Sequence, residues 1–289
     1  MRIALVSTSE LPRPDHDLPV LVDAFARRGA EAAVVHWEDA AVDWRAFDVA
    51  LVRSTWNYVA RLDEFLAWID RVAAATRLVN PPDALRWNLH KRYLLELADA
   101  GIPVVPTELV AAAAQPDWRA SFARHGALVV KPAVSSGSFA TVRIGAGDAA
   151  AAAAHRAAHD GREMLVQPLL ASVLAHGETN LVHFGGRFSH AIHKAARWDG
   201  DLEQSRDLVE PTAAERALAD DVLAAVAARG LGTPAYARVD VAASDDGEPL
   251  LMELEIVEPS LFLDRAPDRA ARLVDAVIGS GGPAATFRP

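Results

Sequence analysis

Apolar runs and the spacing between them divide the chain into alternating short strands and amphipathic helices. Residues 2–8, RIALVST, are a continuous apolar run of strand length, and 31–37 and 48–55 repeat it. Residues 18–30 and 62–76 place apolar side chains at helical spacing, the first segment stopping at Gly29. Residues 77–80 are a short strand halted by Pro81 and Pro82. This alternation predicts a parallel α/β sheet over residues 1–86. Ligands of such sheets gather at the carboxyl ends of the strands. Those ends carry Arg53, Ser54, Thr55 and Asn57, with His16 after the first strand, all expected substrate contacts unless the loops are merely polar.

Beyond residue 86 the texture changes. Residues 88–101 read as a helix with Asn88 as N-cap and Gly101 as stop. Residues 126–145 read as two strands around a loop of small residues, 148–161 as an Ala-rich helix capped by Asp148, and 163–170 as a strand. Two alternating strands flank Gly185 and Gly186, a hairpin signal. A long helix is predicted over 212–232 and a second hairpin over 235–260. The division expected is a central unit over 87–162, a C-terminal unit over 163–278 and a disordered tail over 279–289.

Half of the 289 residues (51%) are hydrophobic, enough for a sizeable core, yet no apolar run reaches the roughly 18 residues of a membrane span. No signal peptide is read at the start, and the expected location is the cytoplasm, with no membrane partner. The absence of cysteine excludes disulfides, thiolate metal sites and cysteine nucleophiles. A net charge of −10 without a basic run argues against nucleic acid, and a homo-oligomer is compatible with everything above. One count is sharper. Of 29 basic residues only three are lysines, Lys91, Lys131 and Lys194. Lysine is a compact point charge where arginine is a planar fork, so three lysines in an arginine-rich chain are candidates for specific work.

The most informative stretch is LMELEIVE, 251–258, where apolar residues alternate with Glu253 and Glu255. Alternation sets both carboxylates on one face, roughly 6.6–6.8 Å apart along the strand. With the turn centred on Asp246 and Gly247, Asp240 lies opposite Glu253 and Arg238 opposite Glu255. Three clustered carboxylates repel one another unless they are solvated or share a divalent cation, and Mg²⁺ takes hard oxygen ligands together with phosphate. A strand that delivers Lys131 to the loop Ser135-Ser136-Gly137-Ser138 adds a place where backbone N–H groups approach an anion closely. Neither G-x-x-x-x-G-K-[ST] nor a strand-linked G-x-G-x-x-G is present.

These residues resemble the ATP-grasp ligases of the glutathione-synthetase and ribosomal-protein-glutamate-ligase type, over about residues 80–260. The resemblance implies an α+β fold whose two subdomains clasp ATP behind an N-terminal α/β domain. It implies phosphate contacts from Lys91 and Lys131, a covering loop at Ser136, Gly137 and Ser138, and an adenine hinge at Gln167, Pro168, Leu169 and Leu170. It further implies ribose at Glu178, Mg²⁺ as two ions at Asp240, Glu253 and Glu255, and a catalytic, phosphate-facing cation at Lys194, while Arg238, set beside the metal face by the hairpin register, is the expected catalytic holder of the acceptor carboxylate and the tetrahedral intermediate. Glu255 stands where the family often has Asn. Asn180, Arg197 and Arg206 join the substrate contacts. The segments RSTWNY and ELEIVEPSLFL are similar to the D-cycloserine synthetase group. The activity implied is ATP- and Mg²⁺-dependent ligation of a small-molecule carboxylate through an acyl phosphate, with cyclisation of O-ureido-D-serine as one case. An intermolecular peptide ligase, a phosphotransferase and a nucleotide sensor are the alternatives.

Overall fold

The computed structural model describes residues 1–196, 198 and 205–279. Arg197 and the expected tail beyond Gly279 lie outside the described residues, as does the side chain of Arg206. The fold is α+β, built on three sheets.

The first is wholly parallel, in the order β2-β1-β3-β4, from β1 (Arg2–Ser7), β2 (Glu31–His36), β3 (Val49–Ser54) and β4 (Arg77–Val79). Helices α1 (Asp17–Arg27) and α2 (Leu62–Ala73) cross over between its strands. Both faces of β1 and β3 are buried, which is why those strands read as unbroken apolar runs. One face packs α2 through Trp37, Phe65 and Trp68, with Phe65 and Trp68 stacked 5.2 Å apart.

The middle sheet is antiparallel, in the order β5-β8-β6-β7, from β5 (Glu108–Val110), β6 (Leu128–Pro132), β7 (Val142–Ile144) and β8 (Met164–Pro168). It therefore runs to Pro168, past the expected boundary at 162. Helices α5 (Trp118–His125) and α6 (Ala149–Ala158) close its outer face around Trp118 and Ala152.

The third sheet, order β11-β10-β9-β12-β13, joins β9 (Glu178–Phe184), β10 (Arg187–Lys194), β11 (Ser205–Val209), β12 (Tyr236–Ala243) and β13 (Pro249–Glu255). Gly185 and Gly186 turn β9 into β10 with φ of 56° and 73°, as their sequence implies. Helix α7 (Ala171–His176) precedes β9. Helix α8 (Ala213–Val226), opened by a Thr212–Glu215 capping box, covers one face through Leu218, Val222 and Val226. The other face meets the first sheet and α9 (Ala270–Gly279) through Val182, Phe184, Leu273 and Val277.

The helix expected at 88–101 is instead two, α3 (Pro82–Asn88) and α4 (Tyr93–Asp99), with Lys91 in the break. Asn88 ends α3 rather than capping a helix. Its side chain is drawn to the edge strand β13, where it donates to the Leu254 carbonyl (2.8 Å) and accepts from the Ile256 N–H (3.0 Å). Leu254 N–H donates to the Tyr93 hydroxyl (3.0 Å), and Asn80 donates to the Ile256 carbonyl (2.8 Å). Side chains thus satisfy the part of this edge beyond Leu251, where the backbone bridge to Val104 ends.

Candidate active site

A cleft of about 1260 Å³, counted to its open mouth, lies among β6, β8, the outer end of β13 and loops of the first sheet. All three lysines line it. Lys91 is placed by its own backbone, whose N–H donates to the Ala133 carbonyl (2.8 Å). Its ammonium donates to the Ser135 carbonyl (3.0 Å) and pairs with Glu253 at 2.8 Å. Lys131, on β6, lies 3.7 Å from the other oxygen of Glu253. Lys194, at the end of β10, pairs with Glu178 at 2.5 Å and lies 4.0 Å from Asp240. Burial presses the Lys131 pKa down, and the neighbouring charge of Lys91 adds to that against Glu253.

The acidic face has the expected register, with Asp240 opposite Glu253 and Arg238 opposite Glu255. The route to it is not the expected one. From Val241 to Ala243 the pairing has slipped by one residue, to Leu251, Leu250 and Pro249, so the loop at the hairpin tip has odd length. A bulge at Met252 restores the pairing and returns Asp240 to the glutamates' face. Arg238 lies between the carboxylates. It donates to Asp240 through two nitrogens (2.7 and 2.8 Å), to Glu255, and to the Ser260 carbonyl (3.2 Å).

This wiring divides the two glutamates. Burial opposes the charge on Glu253, but Lys91 and Lys131 outweigh it and hold its pKa at about 2. Burial raises Glu255 to about 8, Arg238 pulling against it and Asp240 and Glu253 reinforcing it. Among the described residues no three His, Asp or Glu side chains are gathered closely enough to form a metal centre, because Arg238 and the lysines hold the carboxylates. The donor set still fits Mg²⁺, being hard oxygen throughout. Glu255 in particular is raised by burial and has the like charges of Asp240 and Glu253 beside it, which a cation would relieve.

Over the cleft the loop after β6 is tightly wound, with φ of 62° at Gly137, 62° at Ser138 and 52° at Ala140. Ser135, Ser136, Gly137 and Ser138 all line the cleft. So do Gln167, Pro168, Leu169 and Leu170 at the end of β8. The Gln167 side chain donates to Thr107 (2.8 Å), and the Leu169 N–H is used by the Ala127 carbonyl (2.9 Å).

The substrate contacts expected from the first sheet are placed differently. Arg53, Ser54, Thr55, Asn57 and His16 do not line the cleft, and neither does Asn180. Ser54 is buried against Ser7 (Oγ–Oγ 2.8 Å), and Thr55 is buried too. Asn57 accepts from Trp37 and donates to Glu38, and His16 is an exposed residue before α1. Asn180 donates to Glu178 (3.2 Å) beneath the acidic face. Arg53 is fully buried, donating to Asp17 (3.3 Å) and the Pro259 carbonyl (2.7 Å). Asp17 in turn accepts from Leu261 N–H (2.6 Å) and Leu263 N–H (2.7 Å). Arg53 and Asp17 thus fix the segment after β13. The residues that do reach the cleft from this side are Arg13, Trp56 and Tyr58, joined by Glu258 and Ser260. Arg13 lies over the Trp56 ring at 3.9 Å and donates to Ser260 (3.3 Å). Trp56 sits in the segment RSTWNY, and Glu258 sits three residues past Glu255. Those were the available signals.

The chain is 40% identical, over 95% of its length and 97% of the relative's, to the cycloserine biosynthesis protein DcsG of Streptomyces lavendulae. The chain belongs to the DcsG family of ATP-grasp enzymes. It is accordingly an ATP-dependent ligase that forms a C–N bond. Residues 3–80 match the family model for the N-terminal domain of D-cycloserine synthetase DcsG. The crystal structure of D-cycloserine synthetase DcsG superposes with a TM-score of 0.90 at 37% identity, over 97% of this chain and 99% of that one. A RimK-domain ATP-grasp protein from Sphaerobacter thermophilus superposes with a TM-score of 0.70 at 24% identity, covering 96% of this chain and all of its own, which is a likeness of fold. The three lysines, Arg238 and the acidic face of this DcsG-family chain thus line one cleft.

Proposed function

We propose that the protein closes O-ureido-D-serine to D-cycloserine with ATP and Mg²⁺, through an acyl phosphate. The observation that carries this reading is the convergence of Lys91, Lys131, Lys194 and Arg238 on one acidic face inside one cleft, in a chain akin to a cycloserine biosynthesis protein. Asp240, Glu253 and Glu255 would hold Mg²⁺, which supplies charge neutralisation to the phosphates. The lysines release their carboxylates and turn to the phosphates of ATP, under the loop Ser135–Ser138. One substrate carboxylate oxygen attacks the γ-phosphorus in line and ADP leaves. Arg238, freed in part from Glu255, holds the resulting acyl group and then the oxyanion formed when the ureido nitrogen attacks the acyl carbon. Phosphate departs carrying one carboxylate oxygen. Atom balance requires the carbamoyl group to leave with water, as carbon dioxide and ammonia. No protein nucleophile is needed, which suits a cleft that offers cations and hydroxyls.

The test is product analysis with ATP, Mg²⁺ and O-ureido-D-serine. D-cycloserine, ADP and free phosphate in equal amounts support the proposal. AMP with pyrophosphate, ADP without free phosphate, or an intermolecular amide as the only product each overturn it.

A further inference from the structure

We propose that Glu258, beside the hydroxyls of Tyr58 and Ser136, is the subsite for the free ammonium group of the substrate. The inference rests on the reading above, that the acceptor is an amino acid.

Four other carboxylates line the cleft, and each has a cation within 4 Å. Glu178 has Lys194, Asp240 has Arg238, Glu253 has Lys91 and Glu255 has Arg238. Glu258 is the exception. It is only 9% exposed, it lines the cleft, and among the described residues it makes no ion pair. The polar groups that act on its carboxylate are two neighbouring hydroxyls, Tyr58 from the segment after β3 and Ser136 from the loop over the cleft. A buried carboxylate without a countercharge is costly, and a ligand that brings one is bound in proportion. Burial accordingly raises its pKa, while Lys91, already paired with Glu253, and the two hydroxyls oppose the rise.

The walls agree with a cation. Trp56 and Tyr58 line the cleft alongside Glu258, and the guanidinium of Arg13 already lies over the Trp56 ring at 3.9 Å, so this wall accommodates positive charge. The backbone that carries Glu258 is held in place. Trp56 Nε1 donates to the Glu258 carbonyl (3.0 Å), Arg53 donates to the Pro259 carbonyl (2.7 Å), and Asp17 holds the N–H groups of Leu261 and Leu263. A substrate carboxylate or a phosphate would be repelled here, whereas both are suited to the cations around Arg238 and the lysines. The cleft therefore sorts an amino acid by its two ends. The hydroxyl of Ser136 also links the ammonium subsite to the loop that covers the phosphates.

ADP release is measured for the full-length protein and for Glu258→Gln, with ATP and Mg²⁺. The acceptors are O-ureido-D-serine, D-serine and L-serine, each beside its counterpart without the α-amino group. Glutamine keeps the size and the hydroxyl contacts, and a melting curve confirms folding. The unaltered protein should prefer the amino acceptor about 30-fold or more in kcat/KM. Glu258→Gln should bring that ratio to within about threefold while leaving the KM for ATP nearly unchanged. Tyr58→Phe should fall between them. An unchanged ratio in Glu258→Gln overturns the subsite, as does an unaltered protein that ignores the amino group. An acceptor other than O-ureido-D-serine that alone supports turnover overturns the substrate reading and leaves the comparison to be made on that acceptor. Silence from every acceptor overturns both.

Discussion

Asn88→Ala tests how the acidic face is held in place. In the native chain one side chain satisfies two backbone groups of the edge strand, the Leu254 carbonyl and the Ile256 N–H, on either side of Glu255. Alanine leaves both without a partner. Each buried, unpaired backbone group costs roughly 1–3 kcal/mol, and water from the cleft recovers part of that, so about 3 kcal/mol is expected. For a chain of this size that corresponds to a fall in Tm of roughly 6–12 °C. Asn88→Asp should cost at least as much. It keeps the acceptor for Ile256 but sets an oxygen against the Leu254 carbonyl and a further negative charge beside Glu253 and Glu255. Differential scanning fluorimetry gives Tm and ADP release gives turnover. Both substitutions should lower turnover with Mg²⁺ and ATP, because the strand carrying Glu255 loses Asn88's hold on the Leu254 carbonyl and, in Asn88→Ala, on the Ile256 N–H as well. If Asn88→Ala melts within about 2 °C of the native chain, or Asn88→Asp is as stable as native, the side chain is not what carries the edge strand.

Arg238→Lys should cut kcat/KM about 100-fold or more, because a single ammonium cannot reproduce the two-nitrogen hold on Asp240 together with Glu255 and Ser260; steady-state kinetics reads it. His190, buried with Nε2 2.8 Å from the Leu261 carbonyl, has its pKa lowered by burial from 6.5 to about 4. Between those values the unfolded chain binds the proton and the folded chain does not, so stability is lost as pH falls from 6.5 to 4, by about 3 kcal/mol. Denaturant titrations across that window should show the loss, and His190→Gln should flatten it. Gly177 has φ 78°, and a Cβ there would lie 2.1 Å from the Lys194 carbonyl oxygen. Gly177→Ala should therefore displace the Lys194–Glu178 pair, raise the KM for ATP and lower stability by about 2 kcal/mol or more.

Much of this molecule was legible in its sequence for local reasons. Period-two alternation set Glu253 and Glu255 on one face, apolar strand runs announced a doubly covered parallel sheet, and the scarcity of lysine marked three residues that all line the cleft. What was not legible depended on distant partners. The odd-length tip of the last hairpin and the bulge at Met252 cancel, so the pairing of Asp240 with Glu253 was reached for an incomplete reason. Asn88 has the chemistry of a helix cap and is used instead by a strand 166 residues away. Arg53 looked like a substrate contact because it ends a strand, yet Asp17 and Pro259 claim it inside the protein. Arg13 and Trp56 reach the cleft through the segment 258–260, more than 200 residues further along the chain, which no local pattern records.

The measurement closest to the central claim follows oxygen. O-ureido-D-serine carrying ¹⁸O in its carboxylate is turned over with ATP and Mg²⁺, and the released phosphate is weighed by mass spectrometry. An acyl phosphate requires each phosphate to carry away one carboxylate oxygen, so one ¹⁸O per phosphate is expected, together with unlabelled ADP. Phosphate without label, formed alongside D-cycloserine, would contradict the account, because the carboxylate would then have been activated without passing through phosphorus.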